Sequence, residues 1–344
     1  MEFRVPIREI SCFMNRKYFF SGIQPSGKIH IGNYLGAIKS WIKLQNTYNG
    51  IFGIVDYHAI TEPYEASQMP KQILNAAIDY IAAGIDSKKS ILMIQSHVPE
   101  HTELAWILNC ITPVSWLEKI PTFKEKARQF KENVNMGLMD YPVLMAADIM
   151  LYKSTIVPVG EDQLPHIELT RMIVRTFNSR YGKTFPEPEA YLSRGAKIFS
   201  LTQPAKKMSK SFGPESYIAL SDEPKIIEKK LATAVTDPAR KRRTDKGNPY
   251  ICNLFNLHKL FSSPQEIKKI EDGCRSAGIG CLECKKLLAK NISQELEPIR
   301  LKQLELAKKP EYIKKILEDG SKRARKIAQG TLKEVKKKIG LTSN

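Results

Sequence analysis

The stretch FFSGIQPSGKIHIGNYLG, residues 19–36, decides the fold. It begins in an aromatic run, Tyr18 to Phe20, which is typical of a short buried strand, and it continues through the turn formers of residues 21–27. A helical pattern opens directly after His30-Ile31-Gly32-Asn33. The apolar residues that share one face of this helix are Leu35, Ile38, Trp41 and Ile42. Free N–H groups at the start of such a helix suit a phosphate group.

A second stretch, Lys206-Lys207-Met208-Ser209-Lys210-Ser211, lies far downstream between Pro204 and Gly213. The flanking turn residues predict a mobile basic loop. Its two lysines three residues apart are suited to holding a polyphosphate. Taken alone, the pattern favours a solvated basic turn.

Together, the two stretches resemble the two signatures of the class I aminoacyl-tRNA synthetases, which bind ATP and stabilise adenylate formation in that family. Asn33 stands where many members have His, as is usual in the tryptophanyl branch. That branch also carries the Ser-Gly-Ile-Gln-Pro-Ser-Gly run of residues 21–27. The resemblance covers the chain from Lys17 onward. It implies a ligase that activates L-tryptophan with ATP to tryptophanyl-adenylate and transfers it to the 3′ end of tRNA(Trp).

Two other functions stay open at this point. Tyrosyl-tRNA synthetases share the fold with a different amino-acid pocket. A non-catalytic RNA-binding relative is the other alternative, although the intact loop of Lys207 to Ser211 argues against it.

Composition points to an RNA partner. The 344 residues carry a net charge of +18, which favours a polyanionic partner. We therefore expect the protein to bind tRNA and neither a membrane nor DNA.

The N-terminal extension, residues 1–16, lacks the features of a secretory signal. We expect a cytoplasmic protein, with organelle import as the alternative and Met14 as an alternative start. The family also implies a homodimer.

The pattern of strands and helices predicts an α/β fold. Apolar runs at Gly50–Val55 and Ser90–Ile94 alternate with a helix at Met69–Ala83, which is typical of a Rossmann-like, doubly wound parallel sheet. Glu187-Pro188-Glu189 is interpreted as a boundary loop. The predicted domains are a catalytic domain of residues 17–200, the mobile loop 201–216, and a C-terminal helical anticodon-binding domain with a basic last helix, residues 217–344.

The resemblance implies an ATP site with Mg²⁺ and assigns catalysis to His30, Asn33, Lys207 and Lys210. From the sequence pattern alone, Glu161 and Asp162 are explained as acidic residues in the first turn of a helix, where they interact favourably with the helix dipole. The implied ATP-binding residues are Gln24, Pro25, Ser26, Gly32, Asn33, Lys126, Gly160, Glu161, Asp162, Ile198, Lys207, Met208, Ser209, Lys210 and Ser211.

Asp148 interrupts the apolar helical segment Leu138 to Leu151. Burying such an acid without a donor is costly, and a solvent-facing position is the alternative. In the tryptophanyl branch, an Asp in Ala-Ala-Asp-Ile accepts the indole N–H of the substrate. We expect the indole to be the only donor to this carboxylate, which would penalise amino acids that lack it. His58 follows a predicted strand, where the resemblance implies a place near the amino-acid pocket. The alternative is a buried histidine with a structural role. The implied tryptophan-binding residues are Phe20, Gly22, His58, Tyr141, Met145, Asp148, Val157, Val159 and Gln163.

Four cysteines, Cys252, Cys274, Cys281 and Cys284, form the pattern C-x21-C-x6-C-x2-C. In a reducing compartment this spacing suggests soft-metal ligation and leaves zinc, an iron–sulfur cluster or unligated thiols open. A subset of bacterial tryptophanyl-tRNA synthetases carries a nearly identical group that holds a 4Fe–4S cluster. This chain has one residue fewer between its first two cysteines. The resemblance implies a 4Fe–4S cluster, with Zn²⁺ as the alternative.

Overall fold

The computed structural model describes residues 17–129, 134–192 and 198–341, so the predicted N-terminal extension and Met14 lie outside the described residues. No helix in these ranges is both long and apolar enough to span a membrane.

A five-stranded parallel sheet forms the centre of the fold, with strand order β3-β2-β1-β4-β5. Phe19 of β1 lies opposite Gly50 of β2 and opposite Ile156 of β4. This arrangement confirms the predicted doubly wound sheet, whose direction of winding changes beside β1. The strands are β1 (Tyr18–Ile23), β2 (Asn49–Ile54), β3 (Ile91–Ile94), β4 (Ile156–Val159) and β5 (Glu189–Leu192).

Helices connect the strands, and further helices follow the last strand. They are α1 (Ile31–Asn33), α2 (Lys39–Leu44), α3 (Asp56–Ala59), α4 (Met69–Ala83), α5 (Glu100–Asn109), α6 (Val114–Leu117), α7 (Pro121–Gln129), α8 (Met136–Leu151), α9 (Leu164–Tyr181), α10 (Pro224–Thr233), α11 (Asn253–Phe261), α12 (Pro264–Arg275), α13 (Cys281–Ala307) and α14 (Pro310–Lys338). The predicted helix Met69–Ala83 is confirmed at both ends.

Two local predictions differ from the structure. The predicted boundary loop at Glu187–Glu189 ends in β5, whose side chains are mostly exposed and give no buried apolar run in the sequence. The helix after Asn33 contains a π-helical turn, Tyr34–Ile38. Its wider turn changes the buried face, so Tyr34 and Leu44 are buried where the pattern predicted Leu35 and Ile42.

The described residues form two compact units. The sheet unit comprises residues 17–26, 39–192 and 309–341, and the helical unit comprises residues 27–38 and 198–308. Helix α14 therefore belongs with the sheet, whereas the sequence analysis grouped it with the helical region. The functional boundaries proposed from the sequence stay a prediction.

Helix α14 covers the edge strand β3. The hydroxyl of Ser321 accepts a hydrogen bond from the Ile94 N–H at 3.3 Å, and the Arg323 guanidinium donates to the Ser90 carbonyl at 3.0 Å. A Cβ on Gly320 would collide with the backbone carbonyl of Leu92. Glycine therefore allows this helix to approach the strand backbone directly.

We expect Gly320→Ala to lower the free energy of unfolding by about 2 kcal/mol, because the added methyl group has no space against a backbone carbonyl. Chemical denaturation measures the effect. Gly330→Ala, on the same helix with nothing within 4 Å of its Cβ position, is the matched control and should gain about 0.5–1 kcal/mol. Equal effects of both substitutions would contradict the close approach.

Candidate active site

His30 and Asn33 are held by each other at the start of α1. The His30 Nδ1 accepts a hydrogen bond from the Asn33 N–H at 3.3 Å, and the Asn33 Oδ1 accepts one from the His30 N–H at 3.2 Å. The His30 ring also lies 5.6 Å from the Tyr217 ring. This reciprocal cap fixes both side chains in one turn.

His30 is neutral at physiological pH. Burial, together with the nearby charges of Lys210 and Lys207, lowers its pKa to about 3. Since Nδ1 accepts from the Asn33 N–H, the single ring proton lies on Nε2. The imidazole is therefore suited to donating a hydrogen bond to a phosphate oxygen, without a charge of its own.

The pKa of His30 predicts a pH dependence of stability. Below about pH 6.5 the unfolded chain binds a proton that the folded chain does not, so stability falls as the pH drops from 6.5 toward 3, by up to about 1.4 kcal/mol per pH unit. His30→Asn keeps a helix cap but cannot titrate. Denaturant titrations across this pH range measure the unfolding free energy of both proteins, and the variant should lack the pH-dependent loss of stability due to His30. An identical pH slope in the parent protein and the variant would refute the prediction.

The basic loop is anchored as a short antiparallel ladder. The Met208 N–H donates to the Ile198 carbonyl at 2.8 Å, and the Ser200 N–H donates to the Lys206 carbonyl at 2.9 Å. Ile198 and Met208 are buried, whereas Lys207 is exposed. The loop thus presents its lysines from a fixed base.

Lys210 lies close to the residues that precede His30. Its ammonium donates to the Gly27 carbonyl at 3.1 Å. Ser209 caps the short turn Lys210–Phe212, and its hydroxyl lies 2.9 Å from that of Ser211. The helical unit therefore brings together all four predicted catalytic residues, His30, Asn33, Lys207 and Lys210, as the charges acting on His30 also indicate.

Asp148 is the centre of a second polar group, in the sheet unit. The residue is 1% exposed, which excludes the solvent-facing alternative. Its Oδ1 accepts from His101 Nδ1 at 2.6 Å and Gln95 Nε2 at 2.8 Å, and its Oδ2 accepts from His58 Nε2 at 2.9 Å and Gln95 Nε2 at 3.0 Å. The expectation that an indole would be its only donor is therefore wrong.

These donors determine the charge of Asp148. Burial alone would raise the pKa of the carboxyl group, but the charge and hydrogen bond of His101 and the contact with His58 lower it to about 2. The carboxylate is consequently ionised throughout the physiological range. A buried anion of this kind requires hydrogen-bond donors, which His101, His58 and Gln95 supply here.

Other predicted tryptophan-binding residues belong to the same sheet unit. Tyr141 packs edge-on against the His58 ring, 6.3 Å away, and its hydroxyl lies 2.8 Å from that of Thr122. Val157 is buried, with Met145 and Val159 packed on the same small apolar cluster. A Cβ on Gly22 would lie 2.7 Å from Val55 Cγ1, so only glycine fits there.

Most of the other predicted ATP residues of the sheet unit, and the predicted tryptophan residue Gln163, follow strand ends. Gln24 comes after β1 and donates to the His58 carbonyl at 3.1 Å. Gly160 to Gln163 follow β4, and Gln163 Nε2 donates to Asp162 Oδ2 at 2.8 Å. Lys126 belongs to α7, but its side chain lies outside the described part of the chain.

Three members of the Asp148 group escaped the sequence analysis: Gln95, His101 and Tyr152. Gln95 directly follows β3, so the rule that ligands gather at the carboxyl ends of parallel strands could have found it. His101 lies on α5 and Tyr152 directly follows α8, so neither carries such a signal.

The four cysteines of the helical unit line one pocket, together with Leu254, Phe255, Ile270 and Ile279. Burial raises the pKa of Cys284 to about 12. The Arg240 guanidinium lies 3.8 Å from Cys274 Sγ, and Lys285 also lines the pocket. Among the described residues, no three or more His, Cys, Asp or Glu side chains are arranged to hold a single metal ion.

Comparisons with known proteins agree over nearly the whole chain. The family model of class I tRNA synthetases (W and Y) matches residues 15–297. The tryptophan–tRNA ligase of Deinococcus radiodurans is 45% identical over 325 residues, covering 93% of this chain and 98% of that protein. The one of Clostridium acetobutylicum is 44% identical and covers 95% and 97%.

A solved structure shows the same similarity. The tryptophanyl-tRNA synthetase of Campylobacter jejuni, complexed with ADP and tryptophan, superposes with a TM-score of 0.84 at 36% identity, covering 94% of this chain and 99% of that one.

Proposed function

This chain belongs to the class I tRNA synthetases for tryptophan and tyrosine, and from that premise we propose how its residues work. Its activity is that of a tryptophan–tRNA ligase, which forms tryptophanyl-adenylate from L-tryptophan and ATP and transfers the amino acid to tRNA(Trp). The observation that carries this specificity is the buried, ionised Asp148. A buried carboxylate penalises an amino acid that displaces one of its donors and brings no N–H group in return.

The proposed first step joins the tryptophan carboxylate to the α-phosphorus of ATP and releases pyrophosphate. Positioning and charge stabilisation supply most of the acceleration. The neutral His30 donates from Nε2 to a phosphate oxygen, with Asn33 beside it. Lys207 and Lys210 neutralise the charge that develops on the phosphates, and Mg²⁺ accompanies the ATP. In the second step the 3′-terminal ribose hydroxyl of tRNA attacks the acyl carbon of the adenylate, forming an ester and releasing AMP.

An ATP–pyrophosphate exchange assay with single amino acids tests the proposal. Exchange that depends on tryptophan, followed by charging of tRNA(Trp), is the expected result. Exchange with tyrosine alone would identify a tyrosine enzyme. Binding of tRNA without exchange would identify a non-catalytic relative.

We further propose a cytoplasmic homodimer. Large apolar side chains are exposed on three helices of the sheet unit that contact one another, since α5 and α6 both pack on α8. They are Trp106 at 72% exposure, Val114 at 58% and Met136 at 76%. Exposed apolar surface of this kind is typical of a protein interface, and sedimentation at graded concentrations tests the assembly.

A 4Fe–4S cluster is proposed at the four cysteines. All four thiols line one pocket of the helical unit. Four thiolates are the ligand set of a 4Fe–4S cluster, with Zn²⁺ as the alternative. Arg240 and Lys285 lie where they would offset the negative charge of the thiolates. When bound, the cluster supplies a covalent cross-link within the helical unit.

We expect anaerobically purified protein to be brown and to contain iron and acid-labile sulfide in about equal amounts. Cys281→Ser should bleach it and lower the melting temperature of the helical unit. Adenylate formation without tRNA should persist, and tRNA charging should decrease. Cys110→Ser, which changes an exposed free cysteine of the sheet unit, is the control and should leave the colour unchanged. One zinc without sulfide would reject the cluster, and absence of both would reject any metal at this pocket.

A further inference from the structure

A buried chain of polar groups continues from Asp148 into the core. His101 bonds to Asp148 through Nδ1, and its Nε2 lies 2.7 Å from the hydroxyl of Tyr152. The three residues are 0–1% exposed. The Tyr152 ring stacks on Phe20 with 5.7 Å between ring centroids and an angle of 6°. The chain is therefore enclosed and held rigidly by packing.

The direction of the hydrogen bond between His101 and Asp148 is determined. A carboxylate only accepts, so the Nδ1 of His101 carries the proton that it donates. Burial, followed by the charges of Asp148 and Glu100, raises the pKa of Tyr152, so its hydroxyl stays protonated. The hydroxyl lies within hydrogen-bond distance of His101 Nε2, where it holds the ring in the orientation that donates to Asp148.

The donors to Asp148 differ in how accessible they are. An ionised carboxylate has about four acceptor positions, and the contacts from His101, Gln95 and His58 fill four. His101 and Gln95 are completely buried, whereas the His58 side chain is 9% exposed. His58 is thus the donor that a ligand can replace with the smallest change in structure.

We infer that Tyr152 and His101 form a fixed positioning pair that holds the Asp148 carboxylate ready as an acceptor, while His58 occupies the acceptor position that the ring N–H of the amino acid takes over on binding. An amino acid without a ring N–H displaces the His58 hydrogen bond and returns nothing to the carboxylate. The inference rests on the proposed function and adds to it how the pocket selects its substrate.

Tyr152→Phe tests the inference, because it removes one hydroxyl and keeps the stacked ring. Its KM for tryptophan in pyrophosphate exchange should rise about tenfold, with kcat changed less than about twofold, because the lost contact acts on binding and not on the phosphates. The preference for tryptophan over its sulfur isostere, in which sulfur replaces the ring N–H, should fall by about the same factor.

Tyr80→Phe is the matched control. Tyr80 is also fully buried in the sheet unit, and its hydroxyl has no hydrogen-bond partner among the described residues. This variant should keep the KM and the preference of the parent enzyme. His101→Asn, which restores a donor toward Asp148, should remain within about threefold of the parent KM, whereas His101→Leu should lose at least as much as Tyr152→Phe.

The outcomes separate the inference from the proposed function. If the unmodified enzyme shows no exchange with tryptophan, the proposed function fails. If it is active but Tyr152→Phe retains the parent KM and preference, the positioning role is overturned. A loss confined to kcat, or equal losses in Tyr152→Phe and Tyr80→Phe, would overturn it as well, because either result reports general damage to the core.

Discussion

Replacing Lys210 with alanine is expected to slow adenylate formation about a hundredfold, equivalent to about 2.7 kcal/mol of transition-state stabilisation. The ammonium lies next to the segment that carries His30, where it donates to the Gly27 carbonyl. Tryptophan affinity should change little, because the pocket around Asp148 belongs to the other unit. Rapid-quench measurement of the first turnover reports the rate directly.

A neighbouring lysine provides the control for this experiment. The Lys206 ammonium lies 5.1 Å from the centre of the Phe212 ring, where it has a local packing role. Lys206→Ala removes the same charge from the same loop and should alter the rate less than about threefold. If both variants are slowed equally, general loss of positive charge explains the effect and the specific role of Lys210 is rejected.

Asp148→Ala is expected to lower kcat/KM for tryptophan about a thousandfold, or about 4 kcal/mol, because removing one partner of a buried charged group leaves the others uncompensated. His58, His101 and Gln95 would all lose their acceptor. Activity with the sulfur isostere should fall much less, so the preference for tryptophan should collapse. Exchange assays with both amino acids measure the ratio.

Asp140 offers a matched control on the same helix. It is half-buried and accepts from Asn109 Nδ2 at 3.0 Å. Asp140→Ala should leave the ratio of the two activities unchanged. Should Asp148→Ala keep the parent preference, the carboxylate is structural and the indole is recognised elsewhere.

Much of the fold can be predicted from the sequence, because local patterns determine it. The aromatic strand before residue 21, the turn formers and the apolar runs of β2 and β3 are enough to predict a parallel sheet and to bring Gln24 and His58 to one edge. The π-helical turn at Tyr34–Ile38 could not be predicted, because the helical pattern assumes a constant period.

The surroundings of Asp148 show where sequence reasoning ends. The apolar helix around Asp148 makes its burial one of the expected possibilities. Its donors, however, lie 47 to 90 residues away along the chain. An acid in an apolar environment requires donors, but nothing local says which distant residues supply them. The roles assigned to individual ATP and tryptophan residues likewise stay predictions.

The cover that α14 gives to β3 also affects how the protein is made. Ile94 and Ser321 are separated by 227 residues, so a ribosome adding roughly 5–20 residues per second needs about 10–45 s between them. During that interval the nascent chain holds β3 without its final cover, and an uncovered edge strand readily pairs with other chains. Strand β3 therefore stays without this cover until residue 321 has been synthesised, and a chain that terminates before that residue is prone to aggregation.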